Sequence, residues 1–271
     1  MDFFTGEILA MIAVTGIMAG VLSGLLGVGG GIILVPGLYA LFTAAGYAPD
    51  DLMHLCVGTS LAIIVPTGMT SAYHHWRRGG VDRDALFAIG PYLIAGVVAG
   101  SIAITRISGE SLTVFFAAML LVIAILMQVD PQKIQRRDAL PGQPEPGIAG
   151  AVIGFVSTLM GIGGASLNVP YMAMNGIPIH RAVGTASCMG PVIALPAISG
   201  FVLAGWHAAH LPPYSLGYVN LAAFAVVVPL SVLCAPLGVA LAHRFSRTTL
   251  RRCFALFMVI VALKMGYAAL T

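Results

Sequence analysis

Apolar residues run along the chain in long stretches with polar punctuation between them. The stretches fall at 8–26, 31–46, 55–76, 85–105, 111–129, 147–160, 165–175, 183–205, 217–242 and 253–270. A helix crossing a bilayer needs about 17–25 mostly apolar residues. The stretches at 31–46, 147–160 and 165–175 are short, and each abuts a glycine cluster. They read as half-helices, arms of a broken hairpin, and the longer stretches as full spans.

The two halves of the chain resemble each other. Gly27-Val28-Gly29-Gly30-Gly31 leading to Val35-Pro36 aligns with Gly161-Ile162-Gly163-Gly164-Ala165 leading to Val169-Pro170. Val57-Gly58-Thr59-Ser60 aligns with Val183-Gly184-Thr185-Ala186, Pro91 with Pro229, Arg106-Ile107-Ser108 with Arg244-Phe245-Ser246, and Met127 with Met265. The chain therefore divides into an N-terminal membrane repeat, 1–128, a linker, 129–147, and a C-terminal membrane repeat, 148–271. The linker carries Pro131, Pro141, Pro144, Pro146, Lys133, Arg136 and Arg137 and reads as solvated chain. The fold class expected is an all-α integral membrane protein of two inverted-topology repeats. Each repeat is a re-entrant or broken helical hairpin followed by three transmembrane helices.

Composition supports lipid as the solvent. Of the 271 residues 59% are apolar and 8% charged, against about 25% charged in a soluble domain; mean hydropathy is +0.97. These values exclude a disordered segment, a nucleic-acid binder and a soluble enzyme with a hydrated surface. Cys56, Cys188, Cys234 and Cys253 all lie in apolar stretches without a C-x-x-C pair and read as small buried hydrophobes. The first residues, Met1 to Glu7, are acidic rather than basic, so the first apolar run is expected to be retained as a membrane element.

Charge gives orientation, because basic loops stay cytoplasmic. With three net crossings per half, Arg77, Arg78, Arg83, Lys133, Arg136, Arg137, Arg181, Arg244, Arg247, Arg251 and Arg252 share one side, leaving only Arg106 and Lys264 elsewhere. Four crossings per half would split them. The linker 129–147 is then cytoplasmic, and the loop 206–216 is external.

Three features bear on chemistry. The first is the pair of glycine breaks, Gly29-Gly30-Gly31 and Gly163-Gly164. Unwound backbone at membrane depth is tolerated only within protein or beside a watery cavity. The second arm of each hairpin presents unpaired N–H groups at the positive end of its dipole. Two such ends meeting near the midplane would hold an anion without a buried cation. The alternative is that the glycines serve close helix packing.

The second feature is an absence. All ten acidic residues fall in expected loops or at segment ends, which disfavours a carboxylate-based cation or Na⁺ carrier. The third is the set of polar residues within the spans: Thr59, Ser60, Thr185, Ser187, Ser166 and Asn168. Their hydroxyl and amide donors suit an oxyanion such as a sulfonate. Helix–helix hydrogen bonding is the competing role. No Walker A, H-E-x-x-H or G-x-S-x-G sequence occurs, so ATP-driven or enzymatic chemistry is not expected. No cofactor, metal site or catalytic residue is expected.

The doubled glycine motif, the Gly58-Thr59-Ser60 element, His75-Trp76-Arg77-Arg78-Gly79-Gly80-Val81-Asp82, and Ala242-His243-Arg244-Phe245-Ser246 together resemble the sulfite exporter TauE/SafE family of membrane permeases. The second copy departs from the family pattern at Ala165-Ser166, where a third glycine is usual. The resemblance covers nearly the whole chain. It implies a multi-pass secondary carrier of the bacterial inner membrane, exporting sulfite or an organosulfonate such as sulfoacetate. Its expected partners are a small anionic substrate and the lipid bilayer; proton coupling and uniport are both open. A passive anion channel and an uptake permease for another small organic anion are the alternatives.

Overall fold

The computed structural model describes residues 6–26, 30–47, 51–129, 137–209, 211–242 and 247–270. Ten α-helices follow one another there: α1 (Gly6–Leu26), α2 (Gly31–Ala44), α3 (Leu52–Arg77), α4 (Arg83–Ile104), α5 (Gly109–Gln128), α6 (Glu145–Met160), α7 (Ala165–Met174), α8 (Ile179–Ala204), α9 (Leu221–Ala242) and α10 (Arg247–Leu270). Among the described residues six helices are long and apolar enough to cross a membrane: α3, α4, α5, α8, and the parts of α9 and α10 at Leu221–Gly238 and Thr249–Ala269. The protein is an all-α, multi-pass membrane protein. Side chains such as Leu203, Leu233 and Leu263 lie more than 60% open on its perimeter, an arrangement suited to hydrocarbon rather than water.

The apolar run starting at 217 is not helical from its first residue. It begins with a small antiparallel hairpin, β1 (Ser215–Leu216) and β2 (Val219–Asn220), paired Ser215 to Asn220 and Leu216 to Val219. Gly217, at φ 54°, turns the chain. Asn220 then starts α9: its Oδ1 accepts from the Ala223 N–H at 2.8 Å, as an N-cap does. The amide nitrogen of Asn220 donates to Pro213 O and Ser215 Oγ, which ties the hairpin to the helix start.

Helix pairs join the first five helices to the last five. α1 lies on α9, α4 on α6, α3 on α8 and α5 on α10. Exchanging α1–α5 for α6–α10 turns the first pair into the second and leaves the other two unchanged. α3 and α8 run antiparallel, with Gly58 against Phe201, Gly68 against Pro191 and Ser71 against Ser187. α5 and α10 are also antiparallel, with Ala117 near Gly266 and Val129 O accepting from Arg251. By contrast α4 and α6 run side by side in the same sense, as Ile89 meets Gly150 and Leu93 meets Gly154. Small residues allow this approach: a Cβ at Gly96 would strike the Ala151 carbonyl, and one at Gly154 that of Leu93. Helices in lipid gain little from burial and associate through such close packing.

The two ends of the bundle are distinct. One end gathers Asp82, Arg181, Arg251 and Val129, with an Asp82–Arg181 pair at 3.3 Å. The linker lies there too: Gln143 donates to Ala88 O at 2.9 Å and Arg137 pairs with Glu145 at 2.6 Å. From Asp138 to Glu145 the linker is largely exposed, and it touches the bundle at one point, where a Cβ at Gly176 would strike the Asp138 backbone. The other end gathers Asp51, His54, Ile107 and Tyr218, where His54 Nε2 bonds Ile107 O at 3.1 Å and stacks on Tyr218. All four cysteines are free; Cys56 is buried as expected, whereas Cys188 and Cys234 are only half-buried and Cys253 is exposed.

Candidate functional site

The second glycine segment ends α6 and starts α7 within four residues. Gly161, at φ 65°, occupies the left-handed position that glycine adopts without strain. Its N–H bonds Thr158 O and the Ile162 N–H bonds Ser157 O, so the turn closes as a Schellman motif. Gly164, at φ 72°, then precedes the first turn of α7. The first N–H groups of that turn have no intrahelical acceptor and carry the positive end of the dipole.

This tip meets the start of the other hairpin. A Cβ on Gly31 would lie 2.7 Å from Gly161 O and 2.9 Å from Ile162 Cα. Ser60, from α3, donates to Gly161 O at 2.8 Å. The tip of α6–α7 is thus fixed against α2 and α3 in the protein interior. Gly27, Val28 and Gly29, the first part of the other glycine run, lie outside the described residues, as do Lys133, Arg136 and Arg244.

Polar atoms without partners collect around Gly164. Asn168 is fully buried, and neither its Oδ1 nor its Nδ2 has a hydrogen-bond partner. The same holds for the hydroxyls of buried Ser157 and Ser166. Asn168 Nδ2 and Ser157 Oγ lie 2.9 and 3.3 Å from the point where a Gly164 Cβ would stand. Native interiors leave few polar groups unmatched; Ser157 near the end of α6 and Ser166 and Asn168 at the start of α7 stand out as unmatched groups flanking the tip.

The tip also borders a cavity of about 80 Å³. Gly163 and Ala165 form its tip wall. Thr67 and Ser71 of α3, Ser187 of α8 and Ser23 of α1 supply its hydroxyls, and no charged side chain lines it among the described residues. The Ser71 hydroxyl donates to Ser187 Oγ at 3.2 Å. The cavity runs from the tip toward the end of the bundle that holds Arg77 and Arg181.

Of the residues expected at the site, Gly163 and Ser187 line the cavity. Gly164, Ser166 and Asn168 sit at the tip; Gly31 and Ser60 hold it; Gly30 precedes α2, with the Leu34 N–H bonding Gly30 O at 2.9 Å. Thr59 and Thr185 are elsewhere and perform a matched task. Thr59 Oγ1 accepts the Asn220 N–H at 2.8 Å, and Thr185 Oγ1 accepts the Asp82 N–H at 2.8 Å. Each receiving threonine belongs to one half, and each donor stands just before a helix of the other, α9 or α4. The preceding glycines let the incoming backbone close in: a Cβ at Gly58 would strike Tyr218 O, and one at Gly184 Gly80 O. The Val-Gly-Thr element is therefore a clasp between halves.

Thr67, Ser71, Gly68, Gly190 and Ser23 were missed. Ile64, Thr67, Gly68 and Ser71 recur at i, i+3, i+4 and i+7, one helical face of small and hydroxyl residues inside an apolar run. That spacing was the available signal. Among the described residues no group of three or more His, Cys, Asp or Glu could hold a metal ion.

Outside the spans, the Tyr218 phenol is pushed well above its ordinary value of 10.0, first by burial and then by its 2.6 Å hydrogen bond to Asp51. It donates rather than ionises, and closes the clasp that Thr59 and Asn220 begin.

The chain is 32% identical over 250 residues to a protein of Haemophilus influenzae named "Probable membrane transporter protein", covering 92% of this chain and 95% of that one. A similarly named protein of Methanocaldococcus jannaschii is 27% identical over 90% of both chains. Another, YunE of Bacillus subtilis, is 27% identical over 95% of this chain and 97% of its own length. No solved structure matches. The family model described as sulfite exporter TauE/SafE matches residues 12–265, and with the α6–α7 glycine turn and the six apolar helices already described, the chain belongs to that family of membrane transporters.

Proposed function

We propose that the protein exports a small sulfur-containing oxyanion, sulfite or a compact organosulfonate, by alternating access in the bacterial inner membrane. One observation carries the reading. Asn168, fully buried at the start of α7, keeps both ends of its amide unmatched beside Ser157 and Ser166. An anion at this helix start would receive backbone N–H groups, the helix dipole and side-chain donors together. The family's description as a sulfite exporter supports the substrate class.

The antiparallel crossing of α3 with α8 and of α5 with α10 supports two inverted repeats, since repeats related by an axis in the membrane plane place equivalent helices head to tail. With the basic end and the linker 129–147 cytoplasmic, the cavity faces inward and the Thr59, Asn220 and Tyr218 clasp seals the outside. Export of an anion from a negative interior gains about 2.3 kcal/mol per charge per 100 mV, so uniport suffices and a coupling proton is an addition rather than a need.

The test is sulfite efflux from proteoliposomes. Asn168→Leu, inserted normally, is expected to lose roughly 10- to 100-fold in kcat/KM, the worth of a hydrogen bond to a charged group. Wild-type efflux in that variant removes the site; absence of sulfite efflux from the wild-type protein removes the function.

A further inference from the structure

The hydroxyls of the cavity are directed in a way that selects among oxyanions. A hydroxyl has one proton to give and two lone pairs to receive. Thr67 gives its proton to Ile63 O at 2.8 Å. Ser187 gives its proton to Val183 O at 2.9 Å, and Ser71 gives its own to Ser187 at 3.2 Å. The direction of this chain is fixed at its end, because a carbonyl only accepts. With their protons so placed, these three hydroxyls have lone pairs rather than protons left to offer the cavity. The donors stand at the opposite wall, where Gly163 and Ala165 bring the start of α7.

The cavity is thus bipolar: donors at the helix start, acceptors on α3 and α8. A bare oxyanion brings acceptors only. It satisfies the donor wall and faces lone pairs on the other, unless the Ser71–Ser187–Val183 chain gives up its bonds. From this geometry we infer that the transported anion carries its own hydrogen-bond donor, an O–H on or near the oxyanion group, received by Thr67, Ser71 and Ser187. This rests on the transport reading above and adds a requirement to it. A protonated oxyanion such as hydrogensulfite meets the requirement, and so does a short hydroxyalkanesulfonate. Sulfate dianion and simple alkanesulfonates do not. The volume of about 80 Å³ holds only a few water-sized groups, so the donor lies close to the anionic head.

The experiment uses two sulfonates of equal charge and similar shape, 2-hydroxyethanesulfonate and 1-propanesulfonate, as competitors of sulfite efflux from proteoliposomes at one fixed pH. They differ by a hydroxyl in place of a methyl group. The hydroxylated compound is expected to compete about tenfold better. Thr67→Val, which keeps shape, and Ser187→Ala should each bring that ratio to within about twofold while leaving inhibition by 1-propanesulfonate no weaker. Equal competition by the two sulfonates, competition by neither, or an unchanged ratio in both variants overturns the inference while leaving sulfite export standing. Absence of sulfite efflux overturns both.

Discussion

Ser60 donates its hydroxyl proton to the carbonyl of Gly161 at 2.8 Å, across 101 positions of sequence. The bond fastens the broken tip of the α6–α7 hairpin to the central helix α3. The repeat places Ala186 at the corresponding position of the second half, where no hydroxyl exists to do the same. Ser60→Ala leaves a buried carbonyl unmatched, at about 1–3 kcal/mol. We expect apparent Tm in detergent to fall by several degrees, with the chain still inserted; an unchanged Tm would show that the tip is held by packing alone.

Thr59 and Thr185 test the difference between a clasp and a ligand. Each accepts a backbone N–H from the loop preceding a helix of the other half, Asn220 for Thr59 and Asp82 for Thr185. Thr59→Val and Thr185→Val should each lower thermal stability, by about 1–3 kcal/mol, while KM for sulfite in the folded fraction stays within about twofold of wild type. A large rise in KM without loss of stability would return these residues to the substrate.

Gly190 lines the cavity with room beside it: a Cβ there lies 3.6 Å from Gly163 O, an ordinary contact. Gly190→Ala should fold and transport more slowly. Gly190→Val should fill the space and lower efflux by an order of magnitude or more, with an unaltered elution profile. Gly164, by contrast, stands at φ 72° and would be strained by any side chain, so its variants report on folding. Full efflux through Gly190→Val would place the substrate path elsewhere.

The Tyr218 phenol, raised by burial and by its bond to Asp51, gives a pH-dependent prediction. Its pKa in the folded state lies above the unfolded value of 10.0. The stabilisation it adds is complete below pH 10.0 and is lost as pH rises through the folded-state value. Tyr218→Phe should therefore lower Tm by a constant amount at neutral pH, and the gap to wild type should narrow in alkaline buffer above that point. A gap that widens there would mean that the phenol is ionised in the fold.

Much of the architecture was legible along the chain. The apolar stretches match the helices to within a few residues, because a segment in hydrocarbon must satisfy its own backbone and has helix as its only local solution. Exceptions occur at element boundaries. α8 starts at Ile179, four residues before the apolar run, directly after Pro178, whose carbonyl accepts from the Arg181 and Ala182 N–H groups. The second half of the hairpin, 217–220, falls within the apolar run, since Tyr218 and Val219 are apolar enough to belong to a span, while Ser215 and Leu216 fall in the expected external loop. The glycine breaks were legible because Gly161 and Gly164 leave no regular helix between them. The cavity was only half legible: Ser187 and Gly163 were anticipated, but Thr67 and Ser71 look like ordinary polar residues of a membrane helix until α8 and the tip close around them.

The sequence by itself determined that this is a multi-pass membrane protein whose helices break at residues 161–164, because hydropathy and glycine placement act locally and leave their mark residue by residue. Only the tertiary structure decided which hydroxyls face the cavity and which bind the two halves together. Thr59 and Ser60 are neighbours in one helix, yet one holds the start of α9 and the other the tip at Gly161. Successive helical positions point about 100° apart, so their partners belong to whichever elements the fold brings to each side. No local property of the chain encodes that choice.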